Sequence, residues 1–265
     1  MDTESLELLE DALRKTMLSC SGAELDAALT DLGWADMLSD MPDLAIPLVF
    51  RLLGETGSHA SVLNDVVQQA ADRELGATPE LPYAGGGWVV WDRGDNTDPA
   101  HPALGGLPLR RVDDGGLLRL ADARRALGWW LVGSSRAMLT LARQHALDRV
   151  QFGRPIAAFQ AVRHRLAETL VAIEGAEATL SLPGADNADL TALLAKAAAG
   201  KAALTAARHC QQGLGGIGFT AEHDLHHHVR RALVLDGLLG SARELTREAG
   251  ARLRASGTTP TLVQL

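Results

Sequence analysis

Residues 117–160, LLRLADARRALGWWLVGSSRAMLTLARQHALDRVQFGRPIAAFQ, decide how this chain is read. From Leu118 to Val150 the composition is rich in Ala and Leu and free of Pro, so one long helix is predicted. Phe152-Gly153 and Pro155 then stop it, and the helical pattern restarts over Ala157 to Leu182. Pro183-Gly184 marks a second break, followed by helical stretches at Leu190 to Gln212 and from about Asp224 to Ser256. Four helices of roughly 23 to 33 residues with short connections would be about 35–50 Å long, the proportions of an antiparallel four-helix bundle.

Toward the N-terminus the chain also reads as helical. Leu6, Leu9, Leu13 and Met17 recur at helical spacing, and Ser21 with Glu24 predicts a capping box for a helix carrying Leu25, Leu29 and Leu32, ended by Gly33. After the interruption at Met41-Pro42-Asp43, Leu44 to Leu53 and Ser58 to Leu75 are two further predicted helices, separated by Gly54 and Gly57. Between Gly76 and Gly116 the composition changes: five of the ten prolines and nine of the 27 glycines fall there. Only Trp88 to Trp91 and Leu107 to Val112 look like strands, so at most a small sheet is expected. The predicted organisation is mostly α: a shortened N-terminal helical domain (1–75), a reduced β and loop-rich middle module (76–116) and a C-terminal four-helix bundle (117–265).

The 265 residues carry a formal net charge of −8, so the overall field repels nucleic acid and anionic lipid, and any anionic ligand needs local positive charge. Cys20 and Cys210 are far apart and show no metal-site spacing, as expected in a reducing compartment. The N-terminus is acidic and amphipathic rather than signal-like, and no run approaches the roughly 18 apolar residues of a membrane span. A cytoplasmic protein that binds neither membrane nor nucleic acid is expected. No GxGxxG or P-loop pattern is present, so a nucleotide would have to be held in another way.

Two connecting segments carry the chemical information. In Arg149-Val-Gln-Phe-Gly-Arg-Pro-Ile-Ala-Ala-Phe-Gln160 an arginine at a helix end can fork onto an anionic oxygen pair, or simply cap the helix. In Gln211-Gln-Gly-Leu-Gly-Gly-Ile-Gly-Phe-Thr220, four glycines in six residues permit close approach of a backbone or a flat ligand, or simply make a turn. Found together in a helical context, the two segments resemble those of the acyl-CoA dehydrogenase family, whose C-terminal helical domain carries Arg-x-x-Phe-Gly-x-x-Ile-x-x-Phe-Gln and Gln-x-Leu-Gly-Gly-x-Gly-Phe. Asp31-Leu-Gly-Trp34 and Leu52-Leu-Gly-Glu55 resemble its N-terminal helices more loosely.

The resemblance implies an FAD-dependent oxidation of the Cα–Cβ bond of an acyl-CoA thioester, with the flavin shared across a subunit interface. By resemblance, Arg149, Gln151 and Phe152 would meet the pyrophosphate and adjoining ADP portion of an FAD held with a neighbouring subunit, and Gln160, Gln212 and Gly216 would complete that surface. The family's α-proton base should be a carboxylate. Counting from Arg230, its usual position falls on Leu239, and the alternative position in the first bundle helix falls on Ala123. Neither takes a proton; Asp122 and Asp236 are the nearest carboxylates. With the middle module also reduced, the chain resembles the smaller subunit of a heteromer, partnered by a full-length acyl-CoA dehydrogenase subunit in an α2β2 assembly. The Arg230 to Gly240 stretch resembles actinobacterial members that act in steroid side-chain catabolism. Competing expectations are a self-sufficient homo-oligomer using Asp122 or Asp236, and a helical scaffold or acyl-CoA-binding protein without flavin.

Other features read more plainly. His223 and His227 have the i, i+4 spacing of a metal pincer but lack further ligands, so no metal site is expected. Trp129-Trp130 reads as core packing. Arg119, Arg124, Arg125, Arg163 and Arg165 are candidates for coenzyme A phosphates, or else solvate their helices.

Overall fold

The computed structural model describes residues 2–93, 106–182 and 188–257. The predicted break at Pro183-Gly184 lies outside the described residues. Five helices come first: α1 (Thr3–Ser19), α2 (Ala23–Asp31), α3 (Trp34–Asp40), α4 (Pro42–Thr56) and α5 (Val62–Ala70). An antiparallel sheet of β1 (Glu80–Tyr83), β2 (Gly87–Trp91) and β3 (Leu109–Val112), in that order, follows. The second half comprises α6 (Ala121–Asp148), a hairpin of β4 (Val150–Gln151) and β5 (Arg154–Pro155), α7 (Gln160–Leu180), α8 (Ala188–Leu214), α9 (Leu225–Gly237) and α10 (Ala242–Ser256).

Helix α8 is the centre of the bundle and packs on α6, α7, α9 and α10. Its buried face is built from alanines, including Ala195, Ala199, Ala202, Ala203 and Ala206, which favour helix and keep the neighbouring backbones close. Gly200 shows how close: a Cβ there would lie 2.2 Å from Asp236 Oδ1. By hydropathy α8 extended to Phe219 is long and apolar enough to cross a membrane, against the sequence expectation, but 67% of that window is buried in the protein, as in a core helix.

The N-terminal helices join the bundle through α4 and α6, where two glycines bring the backbones together. A Cβ on Gly54 would lie 2.3 Å from the Trp130 carbonyl, and one on Gly133 would lie 2.1 Å from the Arg51 carbonyl. Around this contact Phe50, Trp91 and Trp130 are fully buried, with Trp130 packed edge-on to Phe50 and tilted against Trp91. One hydrophobic core thus runs from Leu13 through the sheet residues Leu81 and Val89 to Leu239. A ring of four charges closes α1 on α4: Arg14 pairs with Glu10 at 3.0 Å and Glu55 at 2.8 Å, and Arg51 with Glu10 at 3.0 Å and Glu55 at 3.1 Å.

Four local expectations are corrected. The Ser21–Glu24 capping box does not form: Gly22, at φ 66°, is the N-cap of α2, and Ser21 Oγ instead bonds His59 Nδ1 at 2.8 Å. The helix expected over Ser58 to Leu75 is shorter, Val62–Ala70, because the Gly57–His59 backbone is recruited by partners distant in sequence. Strand β1 was not foreseen; Pro82 sits in it because the strand is at the sheet edge. The fourth bundle helix is not continuous but breaks at residues 238–241 into α9 and α10, with Leu239 at φ 58° and Gly240 at φ 99°. A capping box does occur there, between Ser241 and Glu244.

Candidate functional site

Helices α6 and α8 run in one direction and α7 returns, so the end of α6, the start of α7 and the end of α8 lie at the same end of the bundle. His209 near the end of α8 accordingly bonds Arg165 (3.2 Å) and Thr169 (3.0 Å) of α7. Thr169 gives its own proton to the Arg165 carbonyl, so the imidazole donates from Nδ1 to Thr169 and accepts the Arg165 guanidinium at Nε2. His145, one turn before the end of α6, stands edge-on to His223, which follows the glycine-rich turn. Both connecting segments singled out in the sequence therefore share one end of the protein.

The first forms a tight hairpin. Phe152 and Gly153 both adopt positive φ, 55° and 75°, as a two-residue reverse turn requires. For phenylalanine this is a strained conformation, and it holds the ring in solvent at 89% exposure. Phe152 meets Phe159 edge-on at 6.0 Å, and the Arg154 guanidinium lies 4.4 Å above the Phe159 ring. Arg149 caps α6 through its backbone, while its side chain is exposed and makes no ion pair among the described residues. Gln151, in the hairpin, and Gln160, at the start of α7, are also exposed.

The second segment continues α8 into a 3₁₀ turn, Gly215–Phe219, with Gln212 and Gly216 exposed. Phe219 (64% exposed) and Ile217 project from this turn, Leu147 from the last turn of α6, Val150 from the hairpin, and Leu170 and Val171 (72% exposed) from α7. Leu147, Val150, Phe152, Ile217 and Phe219 thus expose large apolar side chains on the segments at this end of the bundle, and Leu170 and Val171 do so at mid-α7. The donor set suits an adenine dinucleotide: a free guanidinium for a diphosphate and carboxamides for ribose or base edges. Gly216 faces open space, with nothing within 4 Å of a Cβ built on it. The Arg154–Phe159 stack and the apolar residues around it were missed as a unit from sequence, where their only signal was a pair of phenylalanines seven positions apart.

The two positions read as places for a base meet elsewhere. Ala123 and Leu239 are both fully buried, and the neighbouring Arg124 Nε reaches the Leu239 carbonyl at 3.3 Å. Leu239 N–H donates to the Pro82 carbonyl at 2.7 Å, and the end of β1 seals this region. Asp236 is only 8% exposed, and its Oδ1 accepts the Ala242 N–H, tying it to the start of α10. Beside it Lys196 is fully buried and donates to the carbonyls of Asp236 (2.9 Å) and Gly240 (2.7 Å); burial lowers its pKa to about 7. Asp122, in the first turn of α6, lines a cleft with Asp43 and Ile46 of α4, and desolvation raises its pKa against the pull of Arg125.

The remaining candidates are dispersed. His223 precedes α9, so it and His227 do not form a helical pincer; His223 Nδ1 accepts the Leu225 N–H. Among the described residues no three metal-ligating side chains come together. Arg119 and Arg125 bond main-chain carbonyls of Ala70, Leu180 and Leu182, whereas Arg163 is exposed at the start of α7.

The acyl-CoA dehydrogenase C-terminal domain matches this sequence over residues 117–253, more than half of the chain. The chain belongs to the acyl-CoA dehydrogenase family. It is similar to the acyl-CoA dehydrogenase IpdE2 of Mycobacterium tuberculosis, 40% identical over 116 residues, which cover 44% of this chain and 36% of that protein. The acyl-CoA dehydrogenase FadE34 of the same organism is 41% identical over 135 residues, covering 46% of this chain and 19% of that protein. The chain thus spans well under half the length of these relatives. Among solved structures, a chain of the Tcur3481-Tcur3483 steroid acyl-CoA dehydrogenase superposes with a TM-score of 0.72 at 19% identity, covering 97% of this chain and 99% of that one. A chain of the ChsE4-ChsE5 complex of Mycobacterium tuberculosis gives 0.65 at 20% identity, covering 98% and 99%. The mostly helical architecture is that of this family.

Proposed function

We propose that this acyl-CoA dehydrogenase family chain is the smaller subunit of a heteromeric, FAD-dependent acyl-CoA dehydrogenase. Arg149, Gln151, Phe152, Gln160, Gln212 and Gly216 contact the diphosphate and adenosine end of a flavin seated with a full-length partner subunit, in an α2β2 assembly. The bound flavin supplies the hydride acceptor for α,β-dehydrogenation of an acyl-CoA thioester, for which a steroid side-chain acyl group is the proposed class.

One observation carries this reading: residues suited to a neighbour's cofactor are presented to solvent, while the base positions are apolar and sealed in the core. Arg149 contributes charge and a fork for the diphosphate, the strained hairpin presents Phe152, and Gln160 and Gln212 contribute amide donors and acceptors. The apolar residues around them supply the contact area of an interface. Two of the solved chains that this one resembles come from assemblies named for two components, which accords with the reading. The sequence boundaries at 75/76 and 116/117 are retained as proposed units.

Co-expression with an acyl-CoA dehydrogenase subunit that carries a complete middle domain and a base tests the proposal. A yellow hetero-oligomer, with this chain colourless alone, is expected. A yellow homo-oligomer that oxidises acyl-CoA by itself overturns it.

A further inference from the structure

The turn between α1 and α2 meets the end of α4 and the loop after it over an open cleft of about 400 Å³ that none of the preceding chemistry uses. Ser21, Glu24, Thr56 and Ser58 line it with polar groups, and Met17 and Leu18 with apolar surface. Beside it two main chains are pinned together, Gly22 N–H donating to the His59 carbonyl at 2.7 Å and His59 N–H to Ser21 Oγ at 3.0 Å. Asp26 fixes the same junction one turn into α2, where its carboxylate accepts the N–H (2.6 Å) and the hydroxyl (2.8 Å) of Ser61.

Ser21 has a single proton to give. His59 Nδ1 lies at 2.8 Å and the His59 carbonyl at 3.4 Å, so the hydroxyl donates to the ring. The ring can accept it: burial first, and the Arg231 charge second, lower its pKa to about 4, which leaves the imidazole neutral near pH 7. It also packs against Gly22, where a Cβ would lie 3.5 Å from Nε2. An exposed serine hydroxyl bonded to a held, neutral imidazole is the arrangement that activates a nucleophile. Gly22 at φ 66° turns the chain from Ser21 straight into α2, and no side chain caps that helix. The Ala23 and Glu24 amides are thereby left as donors for negative charge that develops on a carbonyl oxygen. We infer that Ser21 and His59 are a nucleophile and general-base pair that hydrolyses short-chain carboxylic esters seated in this cleft. Ser21 Oγ attacks the acyl carbonyl while its proton passes to His59 Nδ1; the ester C–O bond breaks and the leaving alcohol takes that proton. Water then attacks the acyl carbon, giving a proton to His59, and the bond to Oγ breaks as that proton returns to Ser21, releasing the carboxylic acid. The pair shares no residue with the surface proposed to meet the flavin.

The whole chain, without any partner, tests this with p-nitrophenyl acetate for turnover and an alkyl fluorophosphonate as an irreversible trap. Release of p-nitrophenolate is expected, and peptide mass mapping should find the phosphonyl group on Ser21. Release should fall about a hundredfold in His59→Gln, the value of a positioned general base. Ser21→Ala should abolish both signals, and Ser181→Ala, an exposed serine just after α7, should change neither. A wild-type chain that carries no label on Ser21, or that is labelled on lysine or tyrosine instead, overturns the inference, and this result needs no variant to fold. Release unchanged in a His59→Gln chain with wild-type circular dichroism and melting overturns it as well.

Discussion

Ala123 and Arg149 lie near opposite ends of one helix, α6, about 39 Å apart along its axis. The first is sealed in the core against the Leu239 region, and the second stands in solvent beside the hairpin. A single copy of this chain therefore cannot bring its Ala123 region and its Arg149 surface to one small substrate.

Arg149→Ala should leave the chain's stability within about 0.5 kcal/mol, because the side chain is exposed and unpaired. In the hetero-oligomer the same change should weaken flavin retention by about tenfold or more, the value of one charged contact to phosphate. Flavin released on dilution, followed by fluorescence, measures this. Retention equal to wild type would remove Arg149 from the shared site.

Phe152→Gly separates folding from assembly. Glycine adopts φ 55° without strain, so the isolated chain should melt higher, by up to about 1 kcal/mol, while the complex loses an aromatic contact and dissociates more readily. Melting and sedimentation should move in opposite directions. If both fall, the phenylalanine supports the fold rather than the interface.

Lys196 gives the molecule a specific pH signature. Its folded pKa of about 7 is below the ordinary lysine value of 10.5, so between these values the unfolded chain binds a proton that the folded one does not. Stability from this group rises as pH increases from about 7 to about 10 and is flat below. The urea midpoint of wild type should rise relative to that of Lys196→Met over that window. A constant difference would mean that the ammonium keeps its ordinary pKa.

A second window belongs to His59 and His228, which flank Arg231 where it bonds the Gly57 and Ser58 carbonyls from α9. Burial, then the Arg231 charge, lowers both imidazoles to about 4 from 6.5. Their depressed folded values mean that stability is lost as pH falls from about 6.5 to 4. His228→Gln should remove part of that loss, seen as a shallower decline of the denaturation midpoint; an unaltered slope would exclude His228 as a contributor.

Gly133→Ala tests the seam between the N-terminal helices and the bundle. Its Cβ would meet the Arg51 carbonyl at 2.1 Å, so α4 and α6 must separate, at a cost of about 3 kcal/mol or more. Trp130 fluorescence should shift red as the aromatic cluster opens. A variant as stable as wild type would show that the seam yields freely.

By itself the sequence determined the helical class, the long bundle helices and the two connecting segments that mark the family, because helical periodicity and Gly and Pro punctuation act over a few neighbouring residues. The two positions it read as places for a base, Leu239 and Ala123, are apolar and buried in the fold. Only the tertiary structure decided the rest. Ser21 bonds His59 instead of capping α2, since the Gly57–His59 loop is brought to it from 38 positions away. The last helix breaks at Leu239 and Gly240 because Lys196, the Pro82 carbonyl and the Ser241 cap compete for that backbone. Whether Arg149 is an ordinary cap or a free guanidinium depends on the charges that packing brings beside it. Contacts between residues distant in the chain leave no local signal, and in this protein those contacts set the register, the helix break and the exposed charge.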